Sequence, residues 1–408
     1  MISRKTSILA HSFVITALLL ILTNGSDAVP IVEWDRTFGG PYWDESFYVE
    51  QTPDDGYIIA GLTYSKDNSS HQYAWLIKTD RYGQEQWNRT YPAELIRKVS
   101  TTPDGGYILR GISNLSDFRM RKIDAGGQEQ WNRTLIVKNV TFFTDMNETS
   151  DGGSILAAVE APTNNSPWWN SRLIKVDQSG NEQWNLTLKT NHEFQLWSVR
   201  QTFDGGYVLA GNTFLSYSYY PLPSIPLMDY GDSDAMVIKM DTNDIQQWEK
   251  TYGWWGEREG AKSIVLTRDG GYLIEGLNGG IRLFNSDNYN IWLIKSNASG
   301  NEQWNRNLGQ SWGPFYSSIR QTSDGGYIFV SSAKYDTDKI HDWLIKTDAN
   351  GNLQWKKVLE GIEMDKYNLK TGYSIKETSD NSYILAGSTE PYGAGNSDAW
   401  LIKIKDII

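Results

Sequence analysis

Aromatic side chains supply the first residues whose chemistry stands out. Trp43 beside Tyr42, the pair Trp168 and Trp169, the pair Trp254 and Trp255, and Trp312 with Phe315 and Tyr316 all fall outside the regular pattern of the chain. Exposed indoles and phenols stack on sugar faces and anchor protein interfaces. Trp43, Trp168, Trp169, Trp254, Trp255, Trp312 and Tyr316 are therefore the expected ligand-binding residues; the competing reading is that they pack between structural units. Oxygen ligands for Ca²⁺ occur as Asp229 with Asp232 and Asp234, Asp287 with Asn285 and Asn288, and Asp336 with Asp338. None has the spacing of an EF-hand loop, and solvated turns explain them equally well, so Ca²⁺ is the one weak hint of a cofactor and no metal site is assigned. The four histidines, His11, His71, His192 and His341, are scattered singly, and the chain has no cysteine. That pattern offers no His-based triad, no thiol nucleophile and no thiolate metal site. Paired carboxylates for glycoside chemistry cannot be picked out among 49 acidic residues without geometry, so no catalytic residue is assigned.

The elements that position these residues repeat along the chain. The stretch from Gln321 to Trp355 holds two hairpins: Asp324-Gly325-Gly326 reverses the first, and the turn from Asp348 to Gly351 reverses the second. One copy is thus four short antiparallel strands, and a copy recurs about every 50 residues, a period typical of propellers and solenoids. The first-turn aspartate falls at Asp54, Asp104, Asp151, Asp204, Asp269, Asp324 and Asp380. Two residues earlier stands a Thr in every copy, from Thr52 to Thr378, and five residues earlier an apolar residue: Val49, Val99, Met146, Val199, Ile264, Ile319 and Ile375. The residue after the aspartate is Asp55, Gly105, Gly152, Gly205, Gly270, Gly325 or Asn381. These are the types that best tolerate positive φ, so the motif reads as a hairpin turn rather than an anion-binding loop. A Trp closes each unit at Trp87, Trp131, Trp184, Trp248, Trp304 and Trp355, and is expected to be blade core. A Lys precedes the second turn in all seven copies: Lys78, Lys122, Lys175, Lys239, Lys295, Lys346 and Lys403. Residues i and i+2 of a strand share a face, so this Lys is expected to pair with the Asx that opens the second turn, Asp80 in the first copy.

The ends complete the pattern. Val32 to Phe38 is a lone strand with Trp34, matching the fourth strand of a unit, and the chain stops after Trp400 to Ile404, the third strand of its seventh. Each end supplies what the other lacks, as in a closed ring without an exposed edge. The fold expected is all-β: a single seven-bladed β-propeller of four-stranded antiparallel blades over residues 29–408, closed by the N-terminal strand completing the last blade. Residues 1–28 read as a secretory signal peptide: Arg4 and Lys5, an apolar run from Phe13 to Leu22, then small residues at Ser26 to Ala28. No other stretch is apolar enough to span a membrane. With 38 basic against 49 acidic residues the formal charge is −11, which argues against a phosphate-tracking nucleic-acid binder.

The pattern Thr-x-Asp-Gly-Gly-Tyr-Ile followed by Asp-x-Trp-Leu-Ile-Lys-x-Asp-x-x-Gly-x-x-x-Trp resembles the Asp-Gly-Gly-Tyr β-propeller repeats of exported prokaryotic proteins. Its second half is similar to the repeat of quinoprotein-type propellers. The resemblance covers about residues 32–404 and implies the fold; no quinone-binding set maps onto this chain. Two departures mark blades 2 and 3: Ser154 replaces the Tyr, and Phe118-Arg119-Met120-Arg121 replaces Trp-Leu-Ile. In such a blade both tight turns lie on one face of the disc, and the variable links lie on the other. The link face is thus the expected place for recognition, with the longest link running from Asn212 to Asp234. The function expected is a secreted or cell-surface, monomeric, non-catalytic module that binds a glycan or an extracellular protein. The alternatives are an extracellular carbohydrate-active hydrolase or lyase with its site at the channel mouth, or a structural surface-layer component.

Overall fold

The computed structural model describes residues 30–406, except 65–71, 93, 114–116, 162–168, 191–192, 215–232, 254–257, 280–288, 312–317, 337–338, 365–373 and 390–396. The leader and much of the longest link therefore lie outside the described residues. Those described form a seven-bladed β-propeller, each blade a four-stranded antiparallel sheet in sequence order. Blades 1 to 6 span residues 44–92, 95–136, 140–187, 193–252, 259–311 and 318–364. Blade 7 takes three strands from 374–405 and its outermost strand, Ile31–Phe38, from the other end of the chain. The closing strand pairs antiparallel with Asp398–Lys405, and Trp34 sits opposite Lys403. That register matches every other blade, where Lys78 faces Trp87, Lys122 faces Trp131 and Lys346 faces Trp355. Among the described residues no helix is long and apolar enough to cross a membrane.

The first turn has the geometry its residue types call for. In blade 1 the Asp55 N–H donates to the Thr52 carbonyl at 2.9 Å, and the Thr52 N–H to the Gly56 carbonyl at 2.9 Å. The seven residues after the turn aspartates all have positive φ, from 60° at Asn381 to 86° at Gly325. In the second turn Asp244, the exception to glycine, takes up φ 62° itself. The apolar position five before each turn aspartate is fully buried in all seven blades, and it packs the innermost strands against their neighbours.

The repeated Lys behaves differently from the sequence expectation. Lys78 Nζ reaches across to the first-turn aspartate, 2.9 Å from Asp54 Oδ2, and also donates to the Thr79 carbonyl at 2.8 Å and Gln86 Oε1 at 3.1 Å. All three ammonium protons thus find acceptors. The same Lys–Asp pairing recurs in every blade. The Lys strand ends at Thr79, so Asp80 lies in the turn, where strand alternation no longer applies, while the bulged residue of the partner strand, Gln86, supplies one of the acceptors. The Asp80 carboxylate instead accepts the N–H groups of Tyr82 and Gln84, both at 2.8 Å.

Five of the six closing Trp residues are less enclosed than expected, while Trp355 is buried in the core. Trp87, Trp248 and Trp304 are half-buried on outermost strands. Each lays its ring against the Tyr of the next blade: Trp87 on Tyr107, Trp248 on Tyr272 and Trp304 on Tyr327, with centroids 6.0–6.2 Å apart. They cement blade to blade rather than filling the core of one blade.

Candidate functional site

The innermost strand of each blade runs along the central channel toward the tight-turn face. Counting back from the turn aspartate, position −5 is constant in character, but position −4 is not. It is Glu50, Ser100, Asn147, Arg200, Val265, Arg320 and Lys376. Position −6 is Tyr48, Lys98, Asp145 and then four serines, Ser198, Ser263, Ser318 and Ser374. Ser198, Ser318 and Asp145 link their blades to a neighbour. Ser318 Oγ accepts the Ile375 N–H of the next blade at 3.2 Å, and Asp145 Oδ2 accepts the Val199 N–H at 3.2 Å.

These positions enclose a cavity of about 420 Å³ at the tight-turn end of the channel. Five cationic side chains line it, Lys98, Arg110, Arg200, Arg320 and Lys376, together with Glu50, Glu148 and Tyr48. Lys98, Arg200 and Lys376 keep 22, 19 and 21 % of their side-chain exposure, so the cavity is reached by solvent although protein surrounds it. The charges are partly neutralised. Lys376 Nζ lies 2.7 Å from Glu50, which also accepts the Tyr48 hydroxyl at 2.6 Å. Lys98 lies 3.2 Å from Asp145 and donates to Asn147, and Arg200 pairs with the same Asp145. Burial alone would raise the Asp145 carboxyl, but Arg200 and Lys98 outweigh it and hold it well below the usual carboxylate range. Burial pushes the Lys98 ammonium down to about 7 against the pull of Asp145, with Arg200 and Arg320 adding to the fall.

Arg320 is distinct. It donates to the carbonyl of its neighbour Ile319 at 2.7 Å, and among the described residues no carboxylate lies within ion-pair distance of it. Burial lowers its pKa, and Arg200 lowers it further, while Tyr48, Glu50 and Asp145 act in the opposite sense. A guanidinium enclosed this way lacks the paired anion that buried charges ordinarily have.

Arg110 enters the cavity through the two irregular blades. It stands where blades 1, 3 and 4 have Ala60, Ala157 and Ala210. Its Nε donates to Ser154 Oγ of blade 3 at 2.6 Å, its Nη1 donates to Ser100 Oγ at 2.7 Å, and its Nη2 lies 3.6 Å from Glu148. Ser154 is the residue that replaces the blade Tyr. A small side chain in blade 3 thus leaves room for a large cation from blade 2.

One layer further from the turns, Lys262 Nζ sits 3.9 Å from the ring centre of Trp197 on the next innermost strand. Burial lowers this ammonium to about 8.

Of the residues expected from sequence, Trp43 and Trp169 are described; Trp168, Trp254, Trp255, Trp312 and Tyr316 lie outside the described residues. Trp43 is half-buried at the junction of blades 7 and 1, where its backbone bridges to Ser397 and its carbonyl accepts the Tyr64 N–H at 3.0 Å. Trp169 is half-buried against Phe142, centroids 6.2 Å apart, and its backbone N–H donates to Glu193 Oε1 of blade 4 at 3.2 Å. The two belong to different blade junctions and do not converge. None of the cavity residues was singled out from sequence, although position −4 carried the signal: it varies in charge between copies that are otherwise alike.

These features define a seven-bladed propeller with a cationic cavity on its axis. No family model matches the chain, and no curated protein does. Solved structures share the fold at low identity. A protein of unknown function from Dyadobacter fermentans DSM 18053 is 8 % identical, with TM-score 0.51, covering 93 % of this chain and 99 % of its own. A polysaccharide lyase of family PL25, an ulvan lyase, is 10 % identical, with TM-score 0.50, covering 91 % and 96 %. At such identities the likeness is one of fold.

Proposed function

We propose that this propeller is a secreted or cell-surface, non-catalytic binding module whose ligand presents a carboxylate, sulfate or phosphate to the central cavity. One observation carries the reading: five cations converge on one solvent-reached cavity in a chain of net charge −11, and Arg320 among them has no carboxylate within ion-pair distance among the described residues. A guanidinium presents parallel N–H donors to a planar or tetrahedral oxyanion, and the low local dielectric strengthens the contact. Titration calorimetry with inorganic sulfate and with an oligouronate tests it. Both should bind, more weakly as salt rises, and Arg320→Gln should lower both affinities about tenfold or more while leaving the melting temperature within about 2 °C. Wild-type protein that binds neither anion refutes the reading.

A second reading, an extracellular carbohydrate-active hydrolase or lyase, is favoured by Lys98. Burial pushes its ammonium down from the ordinary lysine range, and an amine shifted toward neutrality gives up and accepts a proton more readily. Release of new reducing or unsaturated ends from an acidic polysaccharide, lost in Lys98→Met while binding persists, would select this reading over the first.

A further inference from the structure

The rim of the cavity departs from the repeat in three blades, and in one of them the departure is an exposed aromatic ring. At the position just before the turn aspartate, the backbone N–H ordinarily donates to a Gln or Glu three before the turn aspartate of the next blade. Ser150 donates to Gln201 at 2.7 Å, Arg268 to Gln321 at 2.9 Å, Ser323 to Glu377 at 2.7 Å and Ser379 to Gln51 at 2.9 Å. Blades 1 and 2 have Pro53 and Pro103 there, which have no N–H to give. Blade 4 has Phe203, and the next blade answers with Leu266 instead of an amide. Phe203 is 76 % exposed, more than any other large apolar side chain described. It follows Gln201, a cavity-lining residue, by two positions, a span of roughly 7 Å of extended chain. Arg200 lies one residue further in.

An exposed phenyl ring two residues from a cavity-lining side chain is available to the apolar face of a ligand. An occupant that also reached the cavity would combine an apolar face with a negative charge, because Phe203 follows the cavity-lining Arg200 and Gln201 in the chain. A uronic acid or sulfated sugar has both: ring C–H groups that stack on an aromatic face, and an anion in fixed relation to them.

We infer that Phe203 is a stacking platform for an acidic oligosaccharide, one sugar lying on the ring while its own or its neighbour's anionic group enters the cavity toward Arg200 and Arg320. This rests on the anion-binding reading of the cavity and narrows the ligand from any oxyanion to an acidic glycan. Glycan binding thereby moves to the tight-turn face, opposite the variable links.

The test compares three probes on the wild type and three variants. Inorganic sulfate reports the cavity alone; a tetrameric oligouronate, with a sulfated tetrasaccharide as a parallel arm, reports cavity and platform together. Phe203→Ala should weaken both oligosaccharides about tenfold and leave sulfate unchanged, and Phe203→Trp should restore or exceed wild-type affinity. Arg320→Gln should weaken all three probes. Which oligosaccharide binds more tightly tells carboxylate from sulfate ester. Phe203→Ala with undiminished oligosaccharide affinity overturns the platform, even where Arg320→Gln still abolishes sulfate binding. Wild-type protein that binds sulfate but no oligosaccharide overturns it equally, and leaves the anion site standing. Because Phe203 is a surface side chain, its removal leaves the fold intact, which melting of each variant verifies.

Discussion

Exchanging Arg110 and Ser154 together should cost far less than exchanging either alone. At six blade junctions a Trp meets the Tyr of the next blade, with ring centroids 5.8–6.5 Å apart. At the junction of blades 2 and 3, Trp131 faces a blade whose Tyr has become Ser154, and Arg110 is bonded to that serine. In Arg110→Ala, the fully buried Ser154 hydroxyl loses its donor, at about 1–3 kcal/mol. Ser100 is only half-buried and can be rehydrated from the cavity. Removing the guanidinium also relieves its own desolvation, so a net loss of about 2 kcal/mol is expected. In Ser154→Tyr the new ring competes with Arg110 for one space, an overpacking cost of about 1–3 kcal/mol. Simple addition would give the double variant a loss of about 4 kcal/mol.

Coupling should instead recover most of that loss. With Arg110 gone the phenol can settle against Trp131, and such ring pairs contribute about 0.5–1.5 kcal/mol. The double variant should lie within about 1 kcal/mol of wild type, a coupling of about 3 kcal/mol. Unfolding entropy of ~2.1 cal/mol/K per residue over the chain amounts to ~0.8 kcal/mol/K, so each single variant should melt about 2–3 °C lower. The double variant should melt within about 1 °C of wild type by calorimetry. A double variant about 5 °C below wild type, the additive result, would refute the reasoning. The same cycle separates fold from function: both proteins lacking Arg110 should bind sulfate more weakly, although one of them has regained its stability.

Two further outcomes follow from the turns. The first-turn aspartates are all held below their ordinary pKa; at Asp151, Asp269 and Asp380, to about 2, burial opposes the shift but hydrogen bonds from the Lys and Thr prevail. Carboxyls depressed by folding stabilise fully above the unfolded value of about 3.9 and lose that contribution as pH falls through about 2; melting temperature should therefore drop between about pH 4 and pH 2, more steeply at low salt because these aspartates are half-exposed, and a flat profile would count against the pairing. Gly351→Ala should destabilise more than Gly105→Ala: both have positive φ, 75° and 80°, but a Cβ at 351 would lie 2.6 Å from the Trp304 ring, whereas a Cβ at 105 meets nothing within 4 Å. The second change should cost about 1–2 kcal/mol for the backbone alone, the first about 1–3 kcal/mol more, and equal melting temperatures would show that the Trp304 contact yields freely.

What could be read from the sequence was whatever seven copies repeat. Thr52, Asp54 and Val49 recur as types in every blade, and turn chemistry with a buried apolar position is enough to give hairpins, blade count and ring closure at Trp34 and Lys403. The partner of the repeated Lys was not legible, because strand alternation applies only within the strand, and the strand ends one residue after the Lys, before the Asx of the turn. Burial of the closing Trp was overstated, since recurrence showed that the ring is required without showing that the next blade covers only one side of it. The cavity escaped because its residues do not recur. Lys98, Arg200, Arg320 and Lys376 each look like ordinary surface charges in their own copy, and only superposing the copies reveals that they share the axis.

That lack of recurrence has an electrostatic cause. Residues four before the turn aspartate line one axis, so any charge repeated at all seven would be brought into a single ring of like charges within a partly enclosed cavity. Such a ring disfavours folding, whereas position −5, being apolar, can repeat freely. The axis therefore accepts charge only as an unequal mixture. Among the described residues it gathers five cations, Lys98, Arg110, Arg200, Arg320 and Lys376, against the three carboxylates of Glu50, Asp145 and Glu148. The difference, five minus three, leaves two positive charges, with Arg320 the cation that has no carboxylate beside it. An imbalance of that sign at the centre of an acidic chain is costly to the free protein and is relieved when a ligand brings one or two negative charges onto the axis. The same residues whose mutual repulsion disfavours the ring relative to an all-serine one are those to which the proposed function assigns anion binding.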